Sequence, residues 1–168
     1  MRYFPLSLLI VTLPTLALSE TWSTPGRPSR TPALLAGPVF TYTEGLGATQ
    51  LRGVSGHLEL GGSLPVGYEE NELFLMARAG GGVPGFSLSA HGGLRSVFEG
   101  QDEWRTFVDL GAVVHVRPDF WAGPRVGVGI RRTLTEILSL HVVLGGQLGF
   151  GSGLRLDVEL STGVRWSL

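Results

Sequence analysis

From residue 33 to its end, the chain alternates apolar and polar side chains with a period of two. The longest run places Leu138, Leu140, Val142, Leu144, Gly146, Leu148 and Phe150 on one parity. Ser139, His141, Val143, Gly145, Gln147 and Gly149 fall on the other. The final run sets Leu154, Leu156, Val158, Leu160, Thr162, Val164, Trp166 and Leu168 against Arg155, Asp157, Glu159, Ser161, Gly163, Arg165 and Ser167. Successive residues of a strand point to opposite faces, so a period of two means strand. These runs also exceed the usual soluble strand of about 5–6 residues.

Three more segments read the same way. Trp104 to Val116 alternates with Arg105, Phe107, Asp109, Gly111, Val113, His115 and Arg117. Phe120 to Ile130 alternates with Trp121, Gly123, Arg125, Gly127, Gly129 and Arg131. Phe86 to Leu94 alternates with Ser87, Ser89, His91, Gly93 and Arg95. Weaker alternation over 34–43, 50–60 and 72–79 brings the expected count to eight strands. The expected separators are Glu44-Gly45, Gly61-Gly62, Gly80 to Gly85, Glu99-Gly100, Arg117-Pro118-Asp119 and Gly151-Ser152-Gly153, all rich in turn residues.

A soluble barrel keeps its apolar face inside. Here the polar faces carry Arg, Asp, Glu and His among many glycines, which leaves little bulk for a dry core. No other segment could cover the aliphatic faces. Turning the barrel inside out resolves this: aliphatic side chains meet lipid, and charges fill a narrow lumen. Runs of this length also exceed the roughly 9–11 residues of a tilted crossing. The predicted fold class is therefore all-β, a closed antiparallel transmembrane β-barrel of about eight strands over 33–168.

Residues 1–19 read as an export signal. Arg2 precedes an apolar run from Leu6 to Leu18, and Ala17-Leu18-Ser19 places small residues before Glu20. That run is shorter than the about 20 residues of a spanning helix. Residues 20–32, rich in Ser, Thr, Pro and Arg, read as a flexible lead-in. The net charge of −1 gives no global field for nucleic acid. The absence of cysteine excludes disulfides, thiolate metal sites and a lipoprotein anchor.

The final strand carries the most specific pattern. Ser161-Thr162-Gly163-Val164-Arg165-Trp166-Ser167-Leu168 has a polar residue, a glycine two places on, an aromatic or aliphatic residue three beyond it, and a terminal apolar residue. It resembles the terminal strand that the barrel-assembly machinery reads in outer-membrane barrels, with Leu168 where those families usually carry Phe. Over 33–168 the chain resembles the small bacterial outer-membrane β-barrel families, OmpA-like in strand number. The resemblance implies location in the bacterial cell outer membrane. It also implies two partners, outer-membrane lipid and the assembly machinery, and an assembly signal at Ser161, Gly163, Trp166 and Leu168. It departs from the usual layout in one respect. The connections at 80–85, 117–119 and 150–153, expected outside, are tight, and those at 61–71, 99–103 and 132–136 are longer or more charged. Either the strand count slips by one before residue 100, or the barrel has almost no extracellular ornament.

All four histidines, His57, His91, His115 and His141, fall on the polar parity. A hairpin centred near Gln101 sets Ser87 opposite His115, and Ser161 is expected near His141. No orienting acid or oxyanion hole can be placed for either pair. No two histidines share a strand at a spacing of two, so no metal site or cofactor is expected. Inward Arg78, Arg95, Arg105, Arg117, Arg125, Arg131, Arg155 and Arg165 face Glu59, Glu72, Asp109, Asp157 and Glu159. The same register puts Asp109 near both Arg95 and Arg125. The expected charge cluster is Arg95, Asp109, Arg125, Arg155, Asp157 and Glu159, paired because an unpaired buried charge is costly. The functional expectation is a non-enzymatic structural or envelope-maintenance barrel. Two alternatives stay open: a narrow pore, suggested by inward Gly123, Gly127, Gly129, Gly145 and Gly149, and a lipid-modifying hydrolase.

Overall fold

The computed structural model describes residues 31–46, 52–66, 71–83, 85–98, 103–151 and 153–168. The expected export signal and nearly all of the lead-in lie outside the described residues.

Eight strands form: β1 (Ala33–Leu46), β2 (Arg52–Val66), β3 (Asn71–Gly82), β4 (Phe86–Phe98), β5 (Trp104–Arg117), β6 (Trp121–Thr133), β7 (Leu138–Gly151) and β8 (Leu154–Ser167). Each pairs antiparallel with its sequence neighbour, and β1 pairs with β8, so the sheet closes into a barrel. Closure leaves no strand edge exposed, as a bilayer requires. β1 begins and β8 finishes at the same end, called here the terminal end.

The count of eight holds, but three expected separators are wrong. Glu44-Gly45 lies inside β1, Gly61-Gly62 inside β2, and Gly80 to Gly82 inside β3. Gly61 serves close strand approach: a Cβ there would lie 2.0 Å from the Leu75 carbonyl oxygen. The strands run longer than their alternation suggested, and the remaining connections are short. They are 47–51, 83–85, 118–120 and 152–153 at the far end, and 67–70, 99–103 and 134–137 at the terminal end. The layout without long loops is thus the observed one.

The barrel is inside out relative to a soluble one. Leu58, Leu75, Val128 and Leu144 are each at least 60% exposed on the outer wall. Tyr42, Phe86, Phe120 and Phe150 stand outward toward the far end, and Phe98, Trp104 and Trp166 toward the terminal end. Phe86 and Phe98 bracket β4. At about 3.3 Å per residue and a tilt of about 40°, they stand about 30 Å apart along the barrel axis. Two aromatic girdles at that spacing flank the apolar band of a transmembrane barrel.

The ladder is interrupted twice, at matching dipeptides. β1–β8 pairing skips Gly37-Pro38, and β6–β7 pairing skips Gly123-Pro124. Proline has no N–H to give to the ladder. Beside each, a carbonyl oxygen packs over the glycine: a Cβ would meet Thr162 O at 1.9 Å or Leu148 O at 1.7 Å. Only glycine permits either approach.

Candidate functional site

Parity sends the charged residues into the lumen, and strand register brings them together. Arg95 on β4 is the direct partner of Asp109 on β5. Its Nε and Nη2 donate to the two Asp109 oxygens at 2.7 and 2.9 Å, a bidentate pair. Arg125 on β6 approaches Asp109 at 3.6 Å and donates from Nε to Glu159 on β8 at 2.8 Å. Arg78 on β3 reaches across the bore to Glu159, with Nη2 at 3.2 Å, and donates from Nε to Glu59 on β2 at 3.0 Å. The resulting chain, Glu59–Arg78–Glu159–Arg125–Asp109–Arg95, draws on six of the eight strands. Its members are all buried; Asp109 and Glu159 are each 1% exposed.

Two smaller groups flank it. Toward the terminal end, Glu72 takes Arg131 at 2.9 Å and Arg165 at 3.2 Å. Toward the far end, Asp157 takes Arg155 at 3.0 Å, and Gln147 Nε2 donates to it at 3.0 Å. All six residues of the expected cluster are therefore inward, in two groups: Arg95, Asp109, Arg125 and Glu159 in the central chain, Arg155 and Asp157 nearer the mouth. Arg78 and Glu59, expected inward, join the first. Arg117 departs from expectation. It ends β5 at the far rim and is exposed, because the strand runs out before its side chain is enclosed.

The lumen also holds apolar bulk that the alternation alone did not reveal. Leu35, Phe74 and Met76 pack together inside, and Phe107 is 0% exposed. The Arg95 guanidinium lies 4.1 Å from the Phe107 ring centroid and 5.4 Å from that of Phe74. Phe74 and Met76 share the parity of Glu72 and Arg78, which was the signal available for placing them inward.

The inward glycines do not line an open bore. Cβ atoms at Gly129 and Gly149 would collide with the rings of Phe107 at 2.3 Å and Trp121 at 2.5 Å. At Gly145 a Cβ would lie 2.7 Å from Glu159 Oε1. These positions are small because neighbouring side chains occupy the space above them.

At the far end the lumen opens into a hollow lined in part by Thr41, Ser55, His57, Ser87, His115 and Arg155. The Ser87 hydroxyl sits 2.9 Å from His115 Nε2 and 3.0 Å from His57 Nε2. The His115 ring stacks on Trp121 at 5.0 Å. The backbone register differs from expectation. The whole β4–β5 register lies two residues from the expected one, so Ser89 is the direct partner of His115 just as Arg95 is of Asp109, yet Ser87 still reaches the imidazole. Ser161 is not set against His141; it faces Val143, and His141 faces Gly163. Among the described residues no three histidine, aspartate or glutamate side chains form a group that could hold a metal ion.

In β8, Ser161 is buried toward the lumen, and Gly163 lies against the Ala36 carbonyl and the His141 ring. Trp166 and Leu168 project outward.

No protein-family model and no curated protein sequence matches the chain. Several solved structures share its fold. Neisserial surface protein A is similar with a TM-score of 0.58 at 13% identity, over 82% of this chain and 97% of that one. A de novo designed transmembrane β-barrel is similar with a TM-score of 0.50 at 16% identity, over 86% of this chain and all of that one. The second is a transmembrane barrel by design, in agreement with the outward aliphatic wall and its aromatic girdles.

Proposed function

We propose that the protein is a sealed barrel of the bacterial outer membrane, with a structural, envelope-maintaining role and no transport activity. The observation that carries this reading is the buried chain Glu59–Arg78–Glu159–Arg125–Asp109–Arg95, which crosses the bore. A solute moving through would have to break several charge-assisted hydrogen bonds in a water-poor interior, and no wide lumen exists beside them. Short connections at both ends argue against a receptor or adhesin, whose binding surface would be built of loops. Outer-membrane lipid is the partner of the outer wall. Ser161, Gly163 and Trp166 in β8, with Leu168 just after it, are the signal offered to the barrel-assembly machinery.

Planar-bilayer recording tests the sealing. Refolded protein should insert without unitary conductance steps. Steady, reproducible steps from heat-verified folded protein would replace this reading with a pore.

A further inference from the structure

The sealed bore ends in a hollow whose chemistry the structural role does not use. We propose that Ser87 is a nucleophilic serine there, with His115 as its base, acting on short-chain carboxylic esters that enter from the far end. This goes beyond the sealed-barrel reading and departs from the sequence expectation of a non-enzymatic chain.

The case is geometric. Ser87 Oγ lies within hydrogen-bond reach of two imidazole nitrogens, 2.9 Å from His115 and 3.0 Å from His57. A hydroxyl has one proton to donate, so one imidazole accepts it and the other donates to the oxygen. His115 is assigned the accepting role because its ring is fixed by stacking on Trp121, which aims Nε2 at Oγ. His57 then donates to Oγ and holds the hydroxyl in place. A nucleophile, an adjacent base and a device that orients the base are the parts needed to activate a serine. Arg155 lines the same hollow, anchored by Asp157 and Thr43. It supplies positive charge where the carbonyl oxygen gains negative charge.

The surroundings select the substrate class. The hollow is narrow, with free space of the order of one or two water molecules, and is partly open. Its floor includes Arg78, locked to Glu59 and Glu159. A long acyl chain would have to displace that ion cluster, whereas an acetyl group stays above it. The wall carries the hydroxyls of Thr41, Ser55 and Ser89 and the amide of Gln147, which suits an ester of a polar alcohol.

In the reaction Oγ attacks the ester carbonyl carbon while its proton moves to His115 Nε2. The ester C–O bond breaks, and the departing alkoxide takes the proton from His115. Water then attacks the acyl-serine through the same base, releasing the carboxylic acid and restoring the hydroxyl.

The test uses the full chain refolded in detergent micelles, with its fold verified by heat-modifiable migration. A small alkyl fluorophosphonate is the label, and p-nitrophenyl acetate the reporter ester. Mass mapping should find the phosphonyl group on Ser87, and p-nitrophenol should be released with turnover. Ser87→Ala and His115→Phe should each slow labelling and release by at least about 100-fold. Ser139→Ala, near the terminal end, should match the parent protein. If Ser87→Ala does not fold, the mapped position in the parent protein decides the question. Folded parent protein that stays unlabelled, or is labelled only at another residue, overturns the proposal. Conductance is read separately, so the sealed barrel and the reactive serine stand or fall independently.

Discussion

Replacing Glu159 by Gln isolates what the lumen cluster does. The side chain keeps its shape, but a carboxylate that accepts from both Arg78 and Arg125 becomes an amide. The central chain holds three guanidinium and three carboxylate groups, and the change leaves three facing two. Arg78 retains Glu59 at 3.0 Å. Arg125 is left with Asp109 at 3.6 Å, and Asp109 is already bound by both forks of Arg95. One buried positive charge therefore loses its partner. Removing one member of a buried pair costs about 3–5 kcal/mol. With a urea slope of about 1–3 kcal/mol per molar, the unfolding midpoint should fall by about 2 M. The assay is urea unfolding in lipid vesicles, followed by tryptophan fluorescence and gel migration. Adding Arg125→Met restores two charges against two, paired as Arg78 with Glu59 and Arg95 with Asp109. The double variant should then recover about 0.5–3 kcal/mol relative to the sum of the single changes. A loss below about 0.5 kcal/mol for Glu159→Gln is the behaviour of solvent-screened pairs. It would mean that water reaches the cluster and that the bore is not sealed.

Four further outcomes are expected. Boiled and unboiled samples should migrate differently on SDS gels, because a closed barrel resists the detergent until heated; equal migration after verified refolding contradicts the closed fold. Leu144→Arg should cost about 2–4 kcal/mol in vesicle unfolding, since Leu144 is 60% exposed near the middle of β7 and a guanidinium would have to sit in hydrocarbon; a change near zero contradicts its lipid facing. Gly129→Val should cost about 1–3 kcal/mol by overpacking the Phe107 ring, and a neutral result would mean that the lumen has room to spare. Trp166→Asp should abolish accumulation in the outer membrane, measured by cell fractionation, and normal levels would remove the assembly-signal assignment.

Strand parity was legible because the two sides of this wall demand opposite chemistries. Every inward charge that the alternation assigned is enclosed or half-enclosed except Arg117, whose strand ends too soon. Hairpin arithmetic also placed Asp109 near Arg95 and Arg125, close enough to meet both although the β4–β5 register is two residues from the one expected. The same arithmetic failed beside the far rim. The β4–β5 register differs by two residues from a hairpin centred near Gln101, which sets Ser89 and not Ser87 opposite His115. Glycine was the other source of error. Gly61 and Gly80 look like turn residues, but their use is to let strands and inward side chains crowd together. Nor could one strand's sequence show that Arg78 meets Glu159. Those residues come from β3 and β8 and touch only across the closed bore.

That cross-bore contact bears on how such a barrel specifies itself. Its outer wall meets lipid in the native state, so apolar burial between side chains cannot choose among interior arrangements as it does in a soluble core. Selection falls to the lumen, where a wrong register would strand a charge without its partner. The central chain ties β2, β3, β4, β5, β6 and β8 to one arrangement. It does so although the Gly37-Pro38 and Gly123-Pro124 positions break the ladders at β1–β8 and β6–β7. Glu159 links the two sides of the bore: it joins β8, which forms the closing seam, to Arg78 on β3 and Arg125 on β6. Closure and sealing therefore depend on the same carboxylate, which is why its replacement should register in both unfolding and conductance.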